Sequence, residues 1–237
     1  MKTFIIGMIL VPLFCFASEP VGSFCKTTLK AGLHGVVRDA GGKIIRRTPL
    51  GKDPVIIDTN VIISLEKMKF FPEKSTESNK LWVAKLHRIL KKNHKHESVH
   101  PYIAERTATE RFVASRDDTV TFPEGTRIFE IEGSRSSPAY QTFLKKLEDM
   151  KVGQVKDNSL NDREIVADLF FAKRNYTQDN PTFLTADAGI FGPLCQLNPA
   201  CAVLNGDKKK IRQMFENGFD VTMNAGGINR TVRIVPL

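Results

Sequence analysis

Two short apolar runs end at a bare carboxylate and resume at once: PVII before Asp58, with TNVIISLE after it, and TFLTA before Asp187, with AGIF after it. Two further acids sit in helix-like stretches, Glu110 in ERTATERF and Asp162 in NDREIVADLF. Carboxylates gathered in one cleft repel one another and call for a cation, and hard oxygen donors select Mg²⁺ or Mn²⁺. Such an ion lowers the pKa of bound water and neutralises charge on a phosphodiester under attack, so hydrolysis proceeds without a covalent enzyme intermediate. Each acid also has a structural role open to it. Asp58 and Asp187 suit the N-cap of the following helix, and Asp162 suits a first turn, where the helix dipole favours negative charge. The chemistry therefore depends on whether the four converge.

Convergence requires a frame. From residue 54 the chain alternates strand and helix. PVII (54–57) reads as a buried strand, 60–67 as helix, and 75–92 as a second helix with Leu81, Val83, Leu86 and Leu90 on its apolar side. SVHPYI (98–103) is the next expected strand and 104–115 the next helix. DDTVTF and RIFEIEG, around a Pro-Glu-Gly turn, read as an insertion with hairpin character. Helices are expected over 138–150 and 161–174, and a strand over PTFLTAD. CAVLN (201–205) reads as a further strand, DKKKIRQMFENG as a helix stopped by Gly218, and FDVTM with RTVRIVP as a closing hairpin around NAGGIN. This alternation predicts an α/β fold of three layers, a mostly parallel sheet with helices on both faces. In such sheets ligands bind beyond the carboxyl ends of the strands, where Asp58 and Asp187 fall.

The segments VIIDTNVII, ERTATERF, NDREIVADLF and FLTADAGIF, in that order and spacing, resemble a PIN domain across residues 54–205. That family has an Asp after the first strand followed by small or polar residues, a helical Glu, an Asp opening a helix, and a Thr-x-Asp after a later strand. The resemblance implies a PIN-like nuclease in which Asp58, Glu110, Asp162 and Asp187 are catalytic and hold Mg²⁺ or Mn²⁺. Asn60 and Thr185 match its supporting polar positions. Glu110 is preferred to Glu105 because the family places its Glu about two turns into that helix; Asp157, Glu164 and Asp168 are secondary acids. The segment between Glu110 and Asp162 is longer than the family pattern. Partners implied are nucleic acid, RNA ahead of DNA, an immunity or antitoxin protein, and a second copy of the chain.

The first residues, MKTFIIGMILVPLFCFAS, have the charged start, apolar middle and small-residue end of a secretory signal peptide, with cleavage expected after Ala17. The apolar stretch is too short for a typical membrane span of ~20 residues. The expected location is secreted or periplasmic, with no membrane association after cleavage. Residues 18–52 form a basic, Gly-containing N-terminal segment, and 53–237 the nuclease-like domain. The formal charge of +9 falls only to +8 with the leader removed, a balance that favours polyanions such as nucleic acid. An oxidising compartment permits a disulfide, and of the cysteines remaining Cys195 and Cys201 are the expected pair, leaving Cys25 odd, with two free buried thiols the alternative.

KKNHKHESVH (91–100) supplies Lys91, Lys92 and Lys95 either as candidate phosphate contacts or as the solvated end of a helix. KKKIR (208–212) reads rather as a solvated helix. His87, His94, His96 and His100 lack a cysteine partner and read as a surface run rather than a zinc site. Trp82, the sole tryptophan, reads as a helix-face packing residue rather than a platform for bases. The function expected is an exported ribonuclease, acting as effector, toxin or scavenging enzyme. The alternatives are a PIN-like nucleic-acid-binding protein without catalysis and a metal-dependent phosphohydrolase of small phosphoesters. An open acidic cleft flanked by lysines favours the nuclease; a small closed pocket favours the phosphohydrolase.

Overall fold

In the computed structural model, the residues described are 47–93, 101–114, 122–123, 125–153, 159–176 and 180–237. The leader, residues 18–46 of the N-terminal segment with Cys25, the 94–100 stretch with its histidines and Lys95, the DDTVT stretch and Asp157 lie outside them.

Six strands form one sheet: β1 (Val55–Ile57), β2 (Pro101–Ile103), β3 (Arg127–Ile128), β4 (Thr182–Thr185), β5 (Phe219–Ala225) and β6 (Ile228–Pro236). Their spatial order is β3-β2-β1-β4-β6-β5. All neighbours pair parallel except β5 and β6, whose antiparallel hairpin turns at Gly226 and Gly227, both at positive φ. β1 and β2 are buried at every residue, because helices cover the sheet on both sides.

The helices are α1 (Thr59–Phe70), α2 (Glu77–Asn93), α3 (Glu105–Ala114), α4 (Pro138–Asp149), α5 (Ser159–Phe170), α6 (Ala188–Cys195), α7 (Pro199–Ala202) and α8 (Lys208–Met214). Alternate strand residues divide the core in two. Val55, Ile57, Ile103 and Leu184 pack with Val61 and Ile62 of α1, Leu86 and Leu90 of α2 and Ala108 of α3. Ile56, Tyr102, Phe183 and Ile234 pack with Phe143 of α4, Val166 and Phe170 of α5, Phe191 of α6 and Ile211 of α8. The fold is α/β, three layers about a mostly parallel sheet. The chain leaves β1 for β2 on one side and returns through β4 on the other, so β1 and β4 flank the topological switch point.

Four expectations are corrected. RIFEIEG is no separate insertion: Arg127–Ile128 is a parallel edge strand on β2, and Phe129 and Ile131 bridge to Thr48 and Ala172. CAVLN is not a strand. Asn198 caps Ala200 and Cys201, Pro199 suits a first helical turn, and Asn205 takes a positive φ. A disulfide joins Cys195 to Cys201, tying α6 to α7. The helix expected over 161–174 stops at Phe170, and Lys173 turns outward to bond Glu130 across the sheet edge. Leu81 is 68% exposed; the inward face of α2 is Asn79, Val83, Leu86 and Leu90, which keeps helical spacing where Leu81 does not.

The N-terminal segment joins the domain at its end. Leu50 is fully buried and its backbone bonds Lys173 and Asn175. Among the described residues no helix is long and apolar enough to cross a membrane.

Candidate active site

β1 and β4 are adjacent and end level with each other, so the residues that follow them start side by side. Asp58 N–H donates to Leu184 O at 3.0 Å, carrying the ladder one residue past β1. The chain then turns into α1, and Asp58 caps it by accepting from Thr59 N at 2.8 Å through Oδ1. Its other oxygen accepts from the Thr185 hydroxyl at 2.7 Å. The same hydroxyl accepts from Asp187 N at 3.0 Å, so one buried threonine links the two strand-end acids.

Asp187 caps α6 by accepting from Gly189 N at 2.6 Å, while its Oδ2 accepts from the Asn60 amide at 3.3 Å. Both acids are thus caps and members of one cluster, since each carboxylate has lone pairs beyond those a cap uses.

Glu110 arrives from α3. Its Oε2 accepts from the Thr59 hydroxyl at 3.0 Å, with the Thr107 hydroxyl 3.2 Å from that of Thr59. Asp162 arrives from the first turn of α5, on the opposite face of the sheet.

The four acids share one electrostatic field. Burial, with the charges of Asp162 and Asp187, pushes the Asp58 carboxyl up to about 7 despite the hydrogen bonds that oppose the rise. Burial, Asp187 and Glu110 push Asp162 up to about 7 as well, against a partial offset from Arg163. Among the described residues no Lys or Arg forms an ion pair with any of the four. Nor do any three His, Cys, Asp or Glu side chains among them meet as a ready-made metal-binding group. Mutual repulsion is consistent with acids that share a field without closing on one point.

The nearby acids are differently placed. Glu105 pairs with Arg47 at 2.6 Å and Arg135 at 2.9 Å. Asp168 pairs with Arg135 at 2.6 Å and accepts from the Tyr140 hydroxyl at 2.7 Å. Glu164 pairs with Arg106 at 3.3 Å. Of the cations expected to meet phosphate, Lys91 is exposed near the end of α2, and the side chain of Lys92 lies outside the described residues. In α8, Lys208, Lys209 and Lys210 are exposed behind an Asp207 cap. Arg212 turns inward to the Ala186 and Leu237 carbonyls, over the Phe191 ring.

A pocket of about 280 Å³ adjoins the cluster, sharing Asn60 and Asp187 with it and lined further by Ser64, Lys67, Asn79 and Trp82. Sequence reading missed Thr59, whose only signal was polarity beside Asp58, and Thr107, which lies between Arg106 and Ala108 with no such signal. It also missed Lys67, which is at the pocket although no charge run marks it. Trp82 does pack against the α1–α2 side of the core, and it also lines this pocket. Comparison with protein-family models, with curated proteins and with solved structures found no match to this chain.

Proposed function

We propose that the chain is an exported, PIN-like, metal-dependent ribonuclease that hydrolyses phosphodiester bonds at Asp58, Glu110, Asp162 and Asp187. One observation carries this reading: four acids from four elements share one field at the switch point of the sheet, with no cation paired to them among the described residues. Asp58 is buried and the other three are half-buried; carboxylates that share a field with no cation in contact either keep a proton or take a cation. The donor set fits a hard divalent ion, being all oxygen, anionic and braced by hydroxyl and amide groups.

Asp58, Glu110, Asp162 and Asp187 would hold Mg²⁺ or Mn²⁺. Such an ion supplies charge neutralisation at a phosphodiester and makes water more acidic. The supporting residues fix geometry. Thr185 orients Asp58, Asn60 orients Asp187, and Thr59 orients Glu110. The four PIN-like segments and the leader-like N-terminus support a secreted nuclease, with RNA the first substrate to examine.

The test is incubation of the protein with labelled single-stranded RNA and DNA in Mg²⁺, Mn²⁺ or chelator, beside Asp58→Asn and Asp187→Asn. Cleavage of RNA in metal is expected, and none in chelator or with either variant. A metal-stimulated, active Asp58→Asn protein would remove this site from consideration.

A second reading is hydrolysis of small phosphoesters: the adjoining pocket, about 280 Å³, is small, although it opens to solvent rather than closing over a ligand. Turnover of nucleoside monophosphates by the same preparation, with RNA left intact, would move the assignment there.

A further inference from the structure

The pocket beside Asp187 has the composition of a base-binding subsite. Its size, about 280 Å³, falls just under the roughly 300–1,000 Å³ of drug-sized ligand pockets and suits one ring system. Ile63 and Trp82 give it an apolar and aromatic wall. Asn79, 7% exposed, gives it a polar one.

The orientation of Asn79 is fixed. Its Oδ1 accepts from both Thr76 N and the Thr76 hydroxyl, at 3.0 and 2.9 Å. The amide nitrogen therefore faces Ser64, to which it donates at 2.9 Å. An amide nitrogen carries two hydrogens, and the second has no protein partner among the described residues. Lys67 stands at the pocket as an exposed cation, and Asn60 and Asp187 join it to the acidic cluster.

We propose that this pocket binds one unpaired nucleobase of a single-stranded nucleic acid, next to the phosphodiester presented to the four acids. The link to cleavage rests on the nuclease reading; the binding itself does not. A base stacks on the Trp82 ring, the free Asn79 hydrogen meets an acceptor on the base edge, and Lys67 meets a flanking phosphate. Stacking of this kind needs a base that is out of its duplex, so paired strands are excluded.

Trp82 is the only tryptophan in the chain, so its emission reports on the pocket alone. The full chain in chelator, where cleavage is blocked, is titrated with a short single-stranded oligoribonucleotide, its duplex, an abasic strand of equal length, and inorganic phosphate. Saturable change in Trp82 emission with the single strand is expected, and much weaker responses to the other three. Anisotropy of an end-labelled strand then reads the variants. Trp82→Leu should weaken binding by about tenfold or more, as loss of one stacked base does. Trp82→Phe, which keeps an aromatic ring, should restore most of it.

Lys67→Ala changes an exposed position, leaves the core untouched, and should lower the slope of log affinity against log salt by about 0.7. An unchanged Trp82 emission on binding, an equal response to the abasic strand, or wild-type affinity in Trp82→Leu would each overturn the proposal. Binding with full emission change but no cleavage in metal would refute catalysis and uphold the pocket.

Discussion

Helix α3 carries two acids and α5 three; Glu164 of α5 pairs with Arg106, and of the remaining two on each helix one joins a cluster where charge is balanced and one a cluster where it is not. Glu105 and Glu110 lie five residues apart on α3, and Asp162 and Asp168 six apart on α5, which turns each pair about 120–140° around its helix. Glu105 and Asp168 meet Arg135, with Arg47 and Tyr140 completing the group. Glu110 and Asp162 join Asp58 and Asp187, where the described residues provide hydroxyls and an amide but no paired cation. Burial does not separate the two clusters, since Asp58 and Asp168 are each 1% exposed. The counter-charge does. Asp168, buried beside Arg135, has its counter-charge within the fold, whereas Asp58, buried beside other acids, has none in contact among the described residues, and under the proposed function a metal ion would supply it.

The largest expected effect is on catalysis. Asp58→Asn should reduce cleavage on the order of 10³-fold, since metal-assisted charge stabilisation is worth several kcal/mol. Its fold should persist: the asparagine oxygen can still accept from Thr59 N, and its amide can donate to the Thr185 hydroxyl. Glu105→Gln, in the balanced cluster, should leave the rate per folded molecule unchanged. Rates measured beside circular dichroism check both, and equal losses in the two variants would erase the distinction.

Arg135→Ala should act the other way, on stability. Removing it leaves Asp168 buried with only Tyr140 beside it, which costs about 3 kcal/mol where a buried pair loses one member. Urea unfolding reads this loss, while cleavage by the remaining folded protein should stay near that of the parent.

How far the sequence foretold these two clusters depends on what each position records. Asp58 and Asp187 were legible because a strand that ends at an acid needs only local sequence to be recognised, and the alternation of elements predicts a sheet edge there. Whether Glu105 or Glu110 faces that edge is a matter of helix phase, which two neighbouring acids on one helix leave open. Arg135 was invisible as their discriminator: it lies between β3 and α4, remote from both in sequence. The same limit applies to RIFEIEG, where two residues suffice for an edge strand and a nearby Pro-Glu-Gly suggests a hairpin instead. At CAVLN, β-compatible residues were overridden by an Asn-Pro cap and a disulfide. Strand-end chemistry is written locally; pairing across the fold is not.

A smaller effect, in degrees of melting temperature, follows from pH. Asp58 and Asp162 are raised from an ordinary 3.8 to about 7 in the folded protein. Between those values the folded state holds protons that the unfolded state has released, so stability falls as pH rises from about 4 to about 7. Through these two groups, metal-free protein should therefore melt a few degrees lower at pH 8 than at pH 5. Asp58→Asn, lacking one such carboxyl, should melt above the parent at pH 8, with the gap closing toward pH 4. Added Mg²⁺ should raise the parent's melting temperature at pH 8 far more than at pH 5, because protons and the cation compete for the same oxygens. A parent and variant that melt in parallel across this range would show that burial and its acidic neighbours do not raise the Asp58 carboxyl.

The smallest effects concern two hydroxyls that hold one acid each. Thr59 donates to Glu110 at 3.0 Å in the unbalanced cluster, and Tyr140 donates to Asp168 at 2.7 Å in the balanced one. Thr59→Val keeps the branched shape and removes the hydrogen bond. Glu110 is only half-buried, so water can replace the lost donor and stability should change little. Its orientation is lost, however, and cleavage should fall by about tenfold with a higher Mg²⁺ requirement, as when a supporting bond to a metal ligand is removed. Thr59→Ser, which keeps the hydroxyl, should recover most of the rate. Tyr140→Phe should do the reverse: about 1.5 kcal/mol lost from stability, because a buried hydrogen bond to a charged group is broken, and no change in the rate of folded enzyme. Should Tyr140→Phe slow cleavage while Thr59→Val only loosens the fold, the two clusters would have to exchange roles, and Arg135 would be neutralising a site rather than completing a scaffold.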